Sequence, residues 1–354
     1  MATKHKQQKT INIALQGGGS HGALTWGVLD YLLEDGRLDI EGFSATSAGS
    51  MNAVAYAYGK MVGGNKGARE CLEMFWRHMN GTGQLFSPVR QLPWEKLGHQ
   101  WNMDYSINFH LFEAFTRLFS PYQFNPANFN ILKMVLEETI DFDALRDCQN
   151  TKLFINATNV QTGKVKVFKT NEIDVDVIMA SASLPFLFHA VPIDGQTYWD
   201  GGYSGNPALF PLFYHTDSRD IVIVHVNPIE RTQLPQTPPE IYNRINEITF
   251  NSSLLKELRA VAFVQKLLQQ NMIKDEFRDQ FKDILMHSIH SDSAMCDLGV
   301  ASKFNVNWQF LIDLKNRGRT LAKTWLQENY SKIGKKSSVD LRSEFLDLGS
   351  EHIG

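Results

Sequence analysis

A serine set between small residues is the first feature of this sequence that could perform chemistry. Ser47 is the third residue of the run Ala-Thr-Ser-Ala-Gly at residues 45–49 and follows a short apolar segment. In a tight turn between a strand and a helix, a serine presents its hydroxyl as a nucleophile, and the helix N-terminus stabilises developing negative charge. Short turns of this composition are also common as purely structural features, so the motif alone leaves both interpretations open.

A glycine loop precedes this serine by about one strand and one helix. Residues 17–22 read Gly-Gly-Gly-Ser-His-Gly. Glycines leave backbone N–H groups free to approach an anionic oxygen closely at the start of a helix. The loop can therefore form an oxyanion hole, the set of donors that stabilises a tetrahedral intermediate.

The same loop has the Gly-x-Gly-x-x-Gly spacing of a dinucleotide site. In such a site an acidic residue closes the second strand, whereas here Asp39 and Glu41 open that strand. This placement disfavours a nicotinamide or flavin cofactor. The loop also lacks the Gly-Lys-Ser/Thr ending of a nucleoside triphosphate site, because Gly22 is followed by alanine and leucine.

An aspartate followed by two glycines is the third element. Asp200 lies in the run Trp-Asp-Gly-Gly-Tyr at residues 199–203. A carboxylate in a glycine-lined turn can be held beside a serine hydroxyl and accept its proton. Taken in isolation, the Asp-Gly pair is more often an ordinary hairpin turn.

Together the three elements resemble the patatin-like phospholipases, over about residues 11–213. That family has a glycine-rich loop with a basic residue, a Gly-x-Ser-x-Gly turn and a later Asp-Gly-Gly or Asp-Gly-Ala, and the segment 180–186 is similar to the one that precedes its aspartate. The resemblance implies that Ser47 is the nucleophile and Asp200 the base of a lipid ester hydrolase that needs no metal or organic cofactor. The matching oxyanion loop consists of Gly17, Gly18, Gly19, His21 and Gly22.

Two residues depart from the pattern of that family. Ala45 replaces the first glycine of the turn, and His21 stands where the family usually carries arginine or lysine. A histidine titrates near neutral pH, so we expect any cationic help from His21 to the oxyanion to depend on pH.

Two rival functions come from other classes of protein. One is a Ser-His-Asp triad on the general α/β-hydrolase fold, although the turn at Ser47 comes earlier than that fold places it. The other is a non-catalytic lipid-binding protein that keeps the fold. The candidate histidines for a triad are His215, His225, His287 and His290.

The elements that must position these residues follow from hydrophobic spacing. Residues 11–15 predict a strand, the next apolar positions a helix that ends before Gly36, residues 42–45 a second strand and residues 50–58 a buried helix. This order is typical of a parallel sheet. We therefore predict an α/β fold, a three-layer α/β/α sandwich with a mostly parallel central sheet.

Later segments extend this sheet and cover it. The aromatic-rich residues 83–129 predict an inserted cap, and residues 152–157 and 164–168 a hairpin. We further predict strands at residues 221–226 and 284–289 and helices at residues 252–270 and 309–327. The predicted organisation is a catalytic domain at 11–213, a C-terminal α/β extension at 214–330, and tails at 1–10 and 331–354.

The composition of the chain limits the kinds of partner that we expect it to bind. Of 354 residues 43% are hydrophobic, the formal net charge is −3, and no dense Lys/Arg run suits nucleic acid. Three scattered cysteines lack the spacing of metal ligands. The N-terminus lacks the apolar stretch of a signal peptide. We expect a cytoplasmic protein that acts on a lipid ester and contacts membranes peripherally; export without a signal peptide and the oligomeric state stay open.

Overall fold

The computed structural model of the chain describes residues 8–86, 89, 101–278 and 280–345. Helices pack on both faces of a central sheet whose middle strands are parallel, so the predicted α/β fold class is confirmed. Residues 87, 88 and 90–100 of the predicted cap lie outside the described residues, as do residues 1–7 and 346–354 of the predicted tails.

In the described part of the chain the sheet has eight strands. Its order is β5-β6-β3-β2-β1-β7-β8, and β4 pairs with β3. The five strands from β3 to β8 along this order run parallel, while β4, β5 and β6 pair antiparallel at one side. The strands are β1 Lys9–Leu15, β2 Leu38–Ala45, β3 Lys152–Asn159, β4 Val165–Lys169, β5 Val191–Ile193, β6 Gln196–Asp200, β7 Asp220–Val224 and β8 Leu285–Ile289.

The helices connect these strands and cover both faces of the sheet. They are α1 Gly22–Asp35, α2 Ala48–Phe86, α3 Ile107–Leu118, α4 Pro121–Phe124, α5 Ile131–Thr139, α6 Phe142–Arg146, α7 Val175–Ser181, α8 Phe210–His215, α9 Pro238–Gln269, α10 Asp275–Arg278, α11 Asp292–Met295, α12 Trp308–Asn329 and α13 Leu341–Phe345. None of the described helices is both long and apolar enough to cross a membrane.

The alternation of side chains along β7 shows how the two layers form. Ile221 and Ile223 point into the cluster that contains Leu254 and Leu258 of α9. The neighbouring Val222 and Val224 point into the larger cluster on the opposite face, with α1, α2 and α12. Each fully buried aliphatic side chain contributes about 1.5–3 kcal/mol of transfer free energy, so both faces must be covered.

The predicted order of strands and helices around Ser47 is confirmed. Strand β1, helix α1 and strand β2 follow one another as the spacing indicates, and the hairpin of β3 and β4 is antiparallel. Helix α2 is far longer than the predicted residues 50–58, with a kink at Gly63 and Gly64. Buried and exposed residues alternate along its outer part, so the sequence there contains no continuous apolar run that would predict a buried helix.

Strands from both sides of residue 213 share one sheet. β1 pairs with β2 on one side and with β7 on the other. The predicted division into residues 11–213 and 214–330 stays a prediction, but the later segment supplies β7 and β8. The site therefore rests on elements from both segments.

Candidate active site

Ser47 lies in the turn between β2 and α2, in a backbone conformation that few serines adopt. Its φ is +53°, in the left-handed region that costs an L-residue roughly 1–2 kcal/mol. Its amide donates a 2.9 Å hydrogen bond to the hydroxyl of Ser181, and its carbonyl accepts from the amides of Ser50 and Met51. These bonds hold the strained turn and set Ser47 at the N-terminus of α2, where the helix dipole favours negative charge.

The strand ends around this turn are fixed by buried amide groups. Asn156 on β3 donates to the carbonyl of Ala45 at 3.0 Å and to the hydroxyl of Thr46 at 3.2 Å. Thr46 in turn donates to the carbonyl of Gly205 at 2.7 Å, next to the Asp200 turn. Ala45 is fully buried and lies in register with Leu15, so the sheet accommodates its methyl group.

The glycine loop lies directly against Ser47. A Cβ on Gly17 would stand 2.7 Å from the Cβ of Ser47, closer than carbon atoms pack. The amide of Gly17 donates to the side-chain oxygen of Asn206 at 2.7 Å, so it is not available to a substrate. In the described part of the chain, the amides of Gly18 and Gly19 donate to no acceptor, which leaves these two N–H groups for an oxyanion.

Gly19 also touches a distant segment of the chain. Its φ is +57°, and an added Cβ would lie 2.6 Å from the carbonyl oxygen of Lys303. A backbone carbonyl cannot swing aside as a long side chain can. Only glycine fits this position without moving the loop or the segment behind it.

Asp200 ends β6, beside Ser47. Its carboxylate accepts a 2.7 Å hydrogen bond from the amide of Gly202, and the Ser47 side chain favours its ionised form. The side chain is 1% exposed. Burial raises the pKa of Asp200 to about 6, and the Gly202 hydrogen bond, the Ser47 side chain and the charge of Lys303 act against that rise. Above this pH the group is a carboxylate poised to take a proton.

The buried ring of His21 contacts Ser302. Its Nε2 lies 2.7 Å from the Ser302 hydroxyl, which itself donates to the carbonyl of Gly299 at 2.7 Å. Because that hydroxyl has one proton, Nε2 must be the donor. Burial lowers the pKa of His21 well below its ordinary value, so the ring is neutral near pH 7 and the pH-dependent cation expected from the sequence does not form. Gly22 starts α1 and packs against Ala48 of α2.

The four other candidate histidines contact other residues in the described part of the chain. His287 lies 2.9 Å from a carboxylate oxygen of Asp220, and His225 is buried in a stack with His290. His215 is exposed and stacks on a phenylalanine of β3. None of these rings hydrogen-bonds to Ser47 or Asp200 among the described residues.

Lys303 is a residue of this site that sequence reasoning missed. Its ammonium donates to the side-chain oxygens of Asn227 at 2.9 Å and Asn246 at 2.8 Å. Burial lowers its pKa to about 8, although Glu247 and Asp200 favour the charged form. A lone lysine in the polar stretch around residue 303 carries no motif, so no local signal could have identified it.

Comparison with known proteins adds one family and a set of similar structures. Residues 13–213 match the family described as patatin-like phospholipase. A comparison with curated protein sequences finds no match. Among solved structures, VipD from Legionella pneumophila is 13% identical with a TM-score of 0.44, covering 98% of this chain and 75% of VipD. ExoU in its heterodimeric complex with SpcU from Pseudomonas aeruginosa is 14% identical with a TM-score of 0.30, covering 91% and 76%.

Proposed function

Because the chain belongs to the patatin-like phospholipase family, a family of lipid ester hydrolases, we propose that it cleaves carboxylic esters of lipids with Ser47 as nucleophile and Asp200 as its base. The family match confirms the resemblance seen in the sequence. The observation that carries the finer proposal is the interaction of the Ser47 side chain with the buried Asp200 carboxylate, beside a loop in which the amides of Gly18 and Gly19 donate to no described acceptor.

The proposed reaction runs in two halves. Asp200 takes the hydroxyl proton of Ser47 as its oxygen attacks the ester carbonyl, and the N–H groups of Gly18 and Gly19 bind the oxyanion. The proton then passes from Asp200 to the leaving alcohol as the acyl enzyme forms. Water attacks the acyl enzyme, gives its proton to Asp200 and releases the fatty acid, and Ser47 recovers its proton.

The surroundings of Asp200 give it a pKa that suits a general base. A general base works best when its pKa lies near the operating pH. An exposed aspartate with a pKa near 4 would be too weak a base for a serine hydroxyl, whereas burial raises the pKa of Asp200 to about 6. The single acid can therefore serve without a histidine.

An exposed apolar stripe on α3 supports a lipid as substrate. Its four residues recur at helical spacing and are all exposed, while Phe109 on the other side of the helix is buried. Phe109 and Phe112 pack on Phe304, next to Lys303. The α3 stripe consists of Ile107, Leu111, Phe115 and Leu118.

A second exposed stripe lies on α9. The guanidinium of Arg117 on α3 lies 5.9 Å from the ring centre of Tyr242 on α9, so the two helices are neighbours. Helix α9 also reaches the Asp200 turn, because Phe250 packs on Tyr203. The α9 stripe consists of Ile241, Ile245 and Ile248. Two apolar surfaces beside the site favour peripheral contact with a lipid surface, as part of the proposal.

The test is hydrolysis of a p-nitrophenyl acyl ester series and of phospholipid vesicles, without added metal. We compare the wild type with Ser47→Ala and Asp200→Asn. Matched controls are Ser252→Ala and Asp194→Asn, which change the same residue types outside the site. We expect both site variants to stay folded and inactive and both controls to keep wild-type rates.

A fluorophosphonate probe separates the rival functions. It should label Ser47 in the wild type and fail on Ser47→Ala. An inert wild type that the probe does not label would favour a lipid-binding protein without catalysis. Full activity in Asp200→Asn would contradict the dyad and favour a base elsewhere.

A further inference from the structure

The short 3₁₀ helix Val300–Phe304 forms the outer wall of the glycine loop. The backbone of Lys303 fills the space beside Gly19, and Ser302 accepts the hydrogen bond of His21. Two residues of the loop are thus held by two consecutive residues of one segment. This segment lies outside residues 13–213, the part that matches the family.

The Lys303 side chain continues this contact into the site. Its ammonium bonds to Asn227, whose own amide donates to the carbonyl of Gly17 at 2.9 Å. It also lies 5.3 Å from the centre of the Phe250 ring. The same ring abuts the Asp200 turn, because a Cβ on Gly202 would stand 2.5 Å from Phe250. One aromatic ring therefore contacts both the ammonium and the turn that carries the base.

Of the two carboxylates that act on Lys303, one has no arginine or lysine bonded to it among the described residues. Two acidic groups act on its ammonium, Glu247 and Asp200. Glu247 is held by ion pairs with Arg231 and Arg244, so its charge is already balanced. Asp200 has no arginine or lysine bonded to it among the described residues, and Lys303 is the cation that acts on it.

Other titratable groups lie near Asp200 and Lys303, but none of those described takes the place of the Lys303 charge. Tyr203 and Asp200 interact, and burial raises the pKa of Tyr203 to about 12, so this phenol stays neutral. His21 is neutral for the reason given above, and the charges of Lys303, Arg317 and Arg231 act on its ring. Near neutral pH the pair Asp200 and Lys303 is the part of this environment that titrates.

We propose that Lys303 is a positioning residue of the catalytic centre, whose ammonium favours the ionised form of Asp200 that accepts the Ser47 proton. This inference rests on the proposed Ser47–Asp200 function. The segment Val300–Phe304 then belongs to the catalytic centre, because it supplies a positive charge that the glycine loop itself lacks. Opposite charges in a poorly hydrated interior stabilise each other's ionised states.

The first experiment is the pH dependence of kcat/KM on p-nitrophenyl butyrate, a neutral and soluble ester. We compare the wild type with Lys303→Gln, Lys303→Met and Lys303→Arg. Lys282→Met is the matched control, since Lys282 is also half-buried but bonds to the carbonyl of Thr216. The rate of the wild type should rise through pH 6 as Asp200 loses its proton.

Removing the positive charge should raise the pKa of Asp200. If it rises by about one pH unit, activity falls roughly fivefold at pH 6 and hardly at all at pH 8. Lys303→Arg should restore the wild-type profile, and Lys282→Met should not shift it. A uniform loss at every pH would indicate a merely structural role and would overturn the inference, as would an unmoved acid limb in both neutral variants.

A second measurement does not need hydrolysis. Carbon-13 NMR of aspartate carboxyl groups, with Asp200→Asn to assign the signal, follows the titration of Asp200 directly. A higher midpoint in Lys303→Gln supports the inference even if the wild type hydrolyses no ester, in which case only the proposed function fails. An unchanged midpoint in an active enzyme overturns the inference and leaves the dyad standing.

Discussion

The imidazole Nε2 of His21 lies 2.7 Å from the hydroxyl oxygen of Ser302, a residue 281 positions later in the chain. This bond joins the glycine loop to the 3₁₀ helix Val300–Phe304, and it uses the only proton of a neutral ring. His21 therefore anchors the loop and does not act as its cation.

Replacing His21 by glutamine should leave the pH–rate profile in place. The glutamine amide can donate to Ser302 as the imidazole does, and no charge is lost because the ring is already neutral. His21→Leu should lower the free energy of unfolding by about 1 kcal/mol, since it deletes one buried hydrogen bond. The measurements are kcat/KM from pH 5 to 8.5 and urea unfolding. His110→Gln, at an exposed position of α3, is the control; an acid limb that shifts in His21→Gln would show that the ring is charged.

Asp200→Asn should make the protein more stable at pH 8. Burial raises the pKa of Asp200 from 3.8 to about 6, so the folded state binds its proton more tightly than the unfolded state. The wild type therefore loses stability as the pH rises from about 4 to 6, by an amount on the order of 2–3 kcal/mol. Asparagine has no charge to bury, and its gain over the wild type should be present at pH 8 and fade toward pH 4. Urea unfolding at both pH values measures it; an equal difference at both would contradict a raised pKa.

Gly19→Ala should cost more than Gly163→Ala. Both glycines have positive φ, +57° and +67°, so each substitution costs about 1 kcal/mol of strain, because alanine rarely adopts this backbone conformation. Open space surrounds Gly163, whereas the carbonyl of Lys303 blocks Gly19. We expect Gly19→Ala alone to lose about 100-fold in kcat, the typical effect of a displaced oxyanion donor. Urea unfolding and ester hydrolysis measure the two losses, and full activity in Gly19→Ala would exclude this loop from the oxyanion site.

Leu118→Asp should lower the rate of hydrolysis of phospholipid vesicles and leave the rate on a soluble ester unchanged. Leu118 is 77% exposed at the end of the α3 stripe, and Val62 on α2 is 68% exposed and serves as the control in Val62→Asp. Losing the burial of one leucine in lipid removes about 1.5 kcal/mol, on the order of tenfold in binding. The measurement compares phosphatidylcholine vesicles, which carry no net charge, with p-nitrophenyl butyrate. Equal effects on both substrates would rule out a lipid-contacting role for the stripe.

The parts of the site that could be predicted from the sequence are those built from neighbouring residues. The turn at Ser47 and the strand before it follow one another in the chain, so their spacing and small side chains predict them. The placement of Asp200 required the family resemblance, because an Asp-Gly pair has many structural uses.

The remaining parts depend on contacts between distant positions. Asn206 accepts the hydrogen bond of the Gly17 amide, and Asn227 links Gly17 to Lys303. Each is one polar side chain in a loop, and its role appears only when the sheet brings the loops together. The neutral state of His21 likewise follows from burial by α12 and the segment at residue 302, which no local pattern indicates.

The position of β1 inside the sheet limits where this chain can be truncated. β1 leads directly into the glycine loop, and its residues 12–15 pair with β7, which follows residue 213. A truncated version ending there would leave residues 12–15 on an open strand edge, where unpaired backbone groups can pair with another molecule. We expect such a fragment to precipitate on expression, however complete its set of motif residues.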